Sequence, residues 1–256
     1  VDAEDLISGV TAVSQTVVAT EDFEYLTRGD RRVARNHYNY STVEVIRTGV
    51  EHTRYLIEIR MYNEGLAFRY EIPGYDLRTI SGESSAWTLP TGSKVWYQDG
   101  PAHEGIWLRE EIGTVDGVFE GPLTVEMPDG GGYLHLSEAG LGGYPSMSFE
   151  FVENEQTVRS VFPTEGSWSM DGGGFSPWRV VLATEDLQRM LKTDIFTGLS
   201  SAARHISYPG GFESPWLQPG RALWSAWSVP DSARDFETQQ YYIDEAARLG
   251  FEYIVV

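Results

Sequence analysis

The chain has no cysteine in its 256 residues, so disulfides and thiolate metal sites are excluded and the redox compartment leaves no mark. Lysine is almost missing: Lys94 and Lys192 stand alone, and nearly all positive charge is arginine. No apolar run approaches the ~20 residues needed to cross a bilayer as a helix. The opening Val1-Asp-Ala-Glu-Asp carries neither the basic nor the apolar segment of a signal peptide. The five histidines, His37, His52, His103, His135 and His205, form neither His-x-His nor His-Glu-x-x-His, which argues against zinc. There is no Gly-x-Ser-x-Gly elbow for a serine hydrolase. The Asp-Gly-rich stretches 129–132 and 171–174 are not followed by Gly-Lys-Ser/Thr, so they read as turns rather than phosphate loops.

What is abundant is acid. With 38 acidic residues against 19 basic, the formal net charge of −19 repels phosphate backbones and argues against nucleic acid. An acidic, lysine-poor surface suits a protein working in high salt, where screening removes self-repulsion; an ordinary acidic extracellular enzyme fits equally well.

Glycine (27) and proline (12) punctuate a chain that reads as β almost throughout before residue 205. The segments 40–46, 55–61 and 66–72 are β-branched, aromatic and partly alternating, with Asn63-Glu64-Gly65 as a hairpin connection. Further strands are expected at 94–97, 122–126, 133–136, 146–151, 157–161 and 178–182. Many short strands separated by turns predict a mainly β fold, a large antiparallel sandwich. A short helix is expected over 185–191, and the Pro- and Gly-rich stretch 207–218 reads as a linker, giving a sandwich over 1–206 and a second region over 219–256.

That second region reads as strand, helix, strand. The apolar run 222–229 is broken by Pro230 and Asp231, and Ser232 with Asp235 reads as a capping box. Phe236, Ile243, Ala246 and Ala247 recur at helical spacing, Arg248 suits the helix C-terminus, and Gly250 its cap. The run 251–256 is apolar enough for a parallel strand covered on both faces. A lone βαβ unit cannot cover both faces of its strands, so the expectation is a fragment of a longer protein.

The blocks Arg35-Asn-His37-Tyr-Asn39, Glu64-Gly-Leu-Ala-Phe-Arg-Tyr70, Leu136-Ser-Glu138-Ala139 with Tyr144-Pro-Ser-Met147, and Ser176-Pro-Trp178-Arg179 resemble, in order, those of glycoside hydrolase family 97. The segments 219–227 and 240–255 are similar to the first strand, helix and second strand of that family's catalytic barrel. The resemblance implies an N-terminal β-super-sandwich, its first strands lying upstream of Val1, followed by the first βαβ unit of a (β/α)8 barrel. It also implies a calcium-dependent, exo-acting α-glucosidase or α-galactosidase whose catalytic carboxylates lie beyond Val256. No catalytic residue is therefore assigned within this chain, and spacing singles out no carboxylate pair.

In the family the glutamate of the Glu-Ala block helps hold calcium, and Glu138 inherits that expectation; an exposed strand-end glutamate is the plain alternative. Trp224 and Trp227, placed in one strand and three apart, face opposite sides, one free to stack on a sugar or both in the core. Ala226 stands where relatives carry a second adjacent aromatic, which weakens a stacking role. His37 is a candidate for lining the sugar cleft or a structural histidine. Arg69 and Arg179 lie in apolar strands, where a buried arginine needs a carboxylate partner, and are expected to hold sandwich to barrel, with Trp178 packing beside them. Asn39-Tyr-Ser41 fits a short glycosylation pattern. The expected partner is an oligosaccharide or α-glycoside, and the expected location periplasmic or secreted, with the cytoplasm left open. The reading from another class is a non-catalytic carbohydrate-binding sandwich.

Overall fold

The computed structural model describes residues 5–27, 31–47, 54–74, 76–99, 105–162, 166–171, 173–200, 215–216 and 218–256. The chain falls into two compact units, Val1–Ser207 and Tyr208–Val256. His52, His103, His205 and most of the linker 207–218 lie outside the described residues.

The first unit is mainly β. Strands β1 (Val10–Leu26), β2 (Val33–Arg47), β3 (Arg54–Tyr62) and β4 (Gly65–Glu71) form an antiparallel meander. Short strands β5 (Arg78–Ile80) and β6 (Ala86–Thr88) leave it, followed by β7 (Lys94–Asp99), β8 (Ile106–Glu111), β9 (Gly117–Glu120), β10 (Leu123–Glu126) and β11 (Tyr133–Ala139). Then come β12 (Ser148–Phe151), β13 (Thr157–Val161), β14 (Trp168–Met170) and β15 (Trp178–Thr184). The main sheet has nine strands in the order β1-β2-β3-β4-β15-β11-β10-β7-β8, and a second sheet runs β6-β13-β12-β9. Strand β15, late in sequence, is thus inserted between β4 and β11.

Period-two alternation decides which layer each residue joins. Val95 and Tyr97 of β7, Leu123 and Val125 of β10 and Leu136 of β11 share a core with Phe149 and Phe151 of β12 and Val158 of β13. Burying a side chain of this size stabilises by about 1.5–3 kcal/mol. On the other face, Ala67, Ala139, Trp178, Val180 and Leu182 pack under two short helices, α1 (Leu187–Leu191) and α2 (Ile195–Leu199), through Met190, Ile195 and Leu199. Asp186 caps α1 by accepting from the Arg189 N–H at 2.8 Å. Helix α2 falls in a stretch whose composition gave no helix, because five residues are too few to show a period.

A ladder of stacked cations ties the strands on that second face. The Arg60 guanidinium lies 4.5 Å from the ring centroids of both Tyr38 and Trp178. Arg69 lies 4.4 Å from Trp178 and 3.8 Å from Phe175. Glu58 bridges the two arginines at 3.1 and 2.6 Å. Strand β1, not anticipated from the sequence, is exposed along most of its described length, so it lacks the alternation that a half-buried strand shows.

The second unit comprises β16 (Ala222–Trp224), α3 (Phe236–Leu249) and β17 (Tyr253–Val255), with β16 and β17 paired in parallel. Two expectations fail here. The strand ends at Trp224, because Ser225 turns the chain: its buried hydroxyl meets Ser232 Oγ at 2.7 Å and accepts from Gln239 Nε2 at 2.9 Å. Ser232 is consequently no N-cap. Asp235 caps α3, accepting from the Glu237 N–H at 3.1 Å and the Thr238 hydroxyl at 2.7 Å. Gly250 closes α3 at φ +72°, a left-handed conformation that glycine adopts without a Cβ penalty.

Candidate functional site

The densest polar cluster of the described residues is built on Arg179. Along β15, Trp178, Val180 and Leu182 face the helices, so Arg179 faces the opposite way, into the sandwich, opposite Phe68 of β4 and Glu138 of β11. Its side chain is 0% exposed and lies between Glu83 (5%) and Glu138 (12%). Nε and Nη2 donate to the two oxygens of Glu83 at 2.7 and 2.6 Å, a bidentate fork, and Nη1 donates to Glu138 Oε2 at 2.6 Å. Glu83 comes from the segment joining β5 to β6, so the cluster ties the main sheet to a crossing loop.

The remaining lone pairs of Glu83 are taken. Glu83 Oε1 accepts from Ser85 Oγ at 2.6 Å and Oε2 from the Tyr144 hydroxyl at 3.0 Å. Because Ser85 donates to Glu83, it accepts from the Tyr70 hydroxyl at 2.9 Å. Glu138 Oε1 accepts from the Met147 N–H at 3.0 Å. That contact needs the chain to double back after β11, and Gly140, at φ +75°, makes the first bend. Tyr144, Phe162 and Trp168 wall the cluster, with the Tyr144 and Trp168 rings 4.9 Å apart.

Burial pushes the Glu138 carboxyl up, partly offset by Met147 and Arg179. Burial also pulls Arg179 down, but its bonds to Glu83 and the charges of Glu83 and Glu138 outweigh this and leave it raised. The guanidinium stays charged. Burial pushes Tyr70 up to about 12 and raises Tyr144, helped there by Glu83, so both hydroxyls remain donors at neutral pH.

Glu138 is therefore neither exposed nor at a free strand end. As a calcium donor it fits only as one ligand of a set. Both of its oxygens already accept a hydrogen bond, and among the described residues no group of three or more acids or histidines can hold a metal. Calcium takes about 6–8 oxygens, so the described residues alone do not make the site.

The other expected residues do not join this cluster. His37, on β2, is half-exposed and lies 3.6 Å from Asp22. Trp224 and Trp227 belong to the second unit, where they contact each other edge to face with centroids 5.7 Å apart. They are partly exposed and do not face opposite sides of one strand. Arg69 pairs with Glu58 and Arg179 with Glu83 and Glu138, so each arginine finds its carboxylates inside the first unit. His135 is half-buried, with Thr124 Oγ1 at 3.0 Å from its ring. Glu83 and Ser85 were not singled out from the sequence; their one signal is a lone glutamate in the polar run Ser81-Gly-Glu-Ser-Ser85 just before a strand.

Beside the cluster, within the first unit, is a cavity of about 620 Å3 lined by Tyr55, Tyr70, Ile80, Glu83, Tyr144 and Met170. Ser81 and Ser84 stand at its exposed mouth.

Residues 3–201 match the family model described as "Glycosyl-hydrolase 97 N-terminal". A "Probable retaining alpha-galactosidase" of Streptomyces bingchenggensis is 26% identical over 216 residues, covering 79% of this chain and 31% of that protein. A "Retaining alpha-galactosidase" of Bacteroides thetaiotaomicron is 24% identical over 259 residues, covering 87% of this chain and 38% of its own length. The chain thus spans about a third of these relatives. A family 97 glycoside hydrolase from Pseudoalteromonas sp. strain K8, solved with panose, superposes with a TM-score of 0.77 at 18% identity, covering 96% of this chain and 39% of that one. At that identity the likeness is one of fold.

Proposed function

The chain belongs to the glycosyl-hydrolase 97 family, whose N-terminal domain it carries over residues 3–201, and from that premise we propose that it serves a glycosidase cleaving α-linked sugars, α-galactosides first. The observation that carries the substrate is that the two curated relatives described above are named retaining α-galactosidases, one of them as probable. Panose, held by the solved relative, is the second substrate to test, in keeping with an α-glucosidase. In this reading the first unit is the family's sandwich, and β16, α3 and β17 open a (β/α)8 barrel. No residue of this chain is assigned as catalytic acid or nucleophile, because Glu83 and Glu138 are both committed to Arg179.

Calcium belongs to the same proposal. Glu138 would give one oxygen, with the other ligands coming from outside the described residues, and a bound ion supplies a fixed charge that polarises a glycosidic oxygen. Arg179 and the Met147 N–H hold the Glu138 carboxylate in one orientation. A periplasmic or secreted location and a working medium of high salt complete the reading, supported by the acidic surface.

The test is hydrolysis of aryl α- and β-galactosides, aryl α- and β-glucosides and panose by the full-length polypeptide containing this chain, with and without a calcium chelator, at low and high salt. Cleavage of an α-linked substrate that collapses on chelation, and falls at least tenfold in Glu138→Gln, supports the whole reading. Cleavage indifferent to chelator removes calcium alone, and no turnover of any substrate removes the glycosidase.

A further inference from the structure

We propose that the 620 Å3 cavity of the sandwich is itself a binding site for one uncharged sugar ring. Its volume lies in the ~300–1,000 Å3 range of small-molecule sites. Its walls are rings held by other rings: Tyr55 meets Tyr70 edge to face at 6.1 Å, and Tyr144 meets Trp168 at 4.9 Å. A ligand therefore enters a surface already in place and does not have to order it.

Of the two carboxylates lining the cavity, Glu83 is neutralised by Arg179 and has both oxygens filled by Arg179, Ser85 and Tyr144, while Asp5 accepts the N–H groups of Ile7 and Ser8 both on Oδ1. No cationic side chain lines the cavity among the described residues, so an anion is not favoured. What remains are hydroxyls. Tyr70 donates to Ser85 and Tyr144 to Glu83, whereas the Tyr55 hydroxyl makes no hydrogen bond among the described residues, and neither do the side chains of Ser81 and Ser84 at the mouth. Burial raises Tyr55 above the usual tyrosine range, so its hydroxyl is a standing donor. Aromatic faces for C–H groups, one unpartnered donor inside and two hydroxyls at the rim suit a pyranose. The choice of a sugar over another uncharged ligand rests on the glycosidase reading above.

The test is calorimetric titration of the full chain with galactose, glucose and, as an uncharged non-sugar, cyclohexanol. The expected result is saturable binding of one sugar per chain. Tyr55→Phe, which keeps the ring and removes the donor, should weaken it about 2- to 12-fold, the equivalent of one hydrogen bond. Ser84→Trp, at the exposed rim, should abolish it while leaving the thermal midpoint unchanged. No sugar binding, binding of cyclohexanol alone, or binding untouched by both substitutions overturns the proposal. If the full-length protein hydrolyses glycosides while this chain binds no sugar, the cavity site alone is wrong. If the chain binds sugar and no glycoside is turned over, the site stands and the glycosidase reading falls.

Discussion

Replacing Arg179 by Met keeps much of the side-chain volume but removes the three charged hydrogen bonds at 2.6–2.7 Å that hold Glu83 and Glu138. Two carboxylates are then left facing one another at 5% and 12% side-chain exposure with no cation between them. Breaking a buried pair in this way costs about 3–5 kcal/mol, because the stranded charge is neither hydrated nor paired. For a unit of this size that corresponds to a fall of about 6–20 °C in midpoint. The pH dependence has a sign. Burial already pushes the Glu138 carboxyl up and Arg179 opposes it, so without the guanidinium Glu138 stabilises the folded state when protonated and ceases to as pH rises through its folded value. The deficit of Arg179→Met relative to the parent should therefore shrink as pH is lowered. Arg179→Lys retains one charge but cannot fork across both partners, and should fall between the two. Replacing all three residues by apolar ones should recover much of the loss. Calorimetry at several pH values is the assay. A midpoint within about 4 °C of the parent for Arg179→Met, or a deficit that grows in acid, would refute the electrostatic account.

Gly132 sits at φ +92°, and a Cβ there would lie 2.4 Å from the Thr184 carbonyl oxygen, so Gly132→Ala should cost at least ~1–3 kcal/mol in denaturant titration. Asp235→Ala removes the cap of α3 and should cost about 0.5–2 kcal/mol, read as lost helical circular dichroism and earlier unfolding. Burial lowers His135 below its ordinary 6.5, so protons favour the unfolded chain and stability drops as pH falls through that value. His135→Asn should flatten the slope of stability against pH below about 6.5; an unchanged slope would assign the acid sensitivity elsewhere.

The fold was legible where strands are rich in β-branched and aromatic residues. Strands β3, β4 and β13 read from the sequence almost to the residue for that reason, although only β13 alternates in burial. The three-residue strands β5, β6 and β14 are too short to show a pattern. Helix α3 read correctly from its spacing, yet its start was misplaced, since the buried Ser225–Ser232 contact uses the very serine that looked like a cap. The site was half legible. An arginine in an apolar strand announced that it needed carboxylates, but its partners lie 96 and 41 residues away, and such distances leave no local trace. Glu138 stood out through family resemblance alone, and the tyrosine cavity not at all.

The place of β15 has a consequence for biosynthesis. Strand β4 is complete at Glu71 and β11 at Ala139, but the strand that joins their edges ends at Thr184. At roughly 5–20 residues per second of translation, the β4 edge waits unpaired for about 6–23 s and the β11 edge for about 2–9 s. Through that interval the nascent chain presents two open hydrogen-bonding edges, the form most prone to pairing with a neighbour. The peptide that closes both also brings Arg179, so sheet closure and neutralisation of Glu83 and Glu138 are a single event on the ribosome.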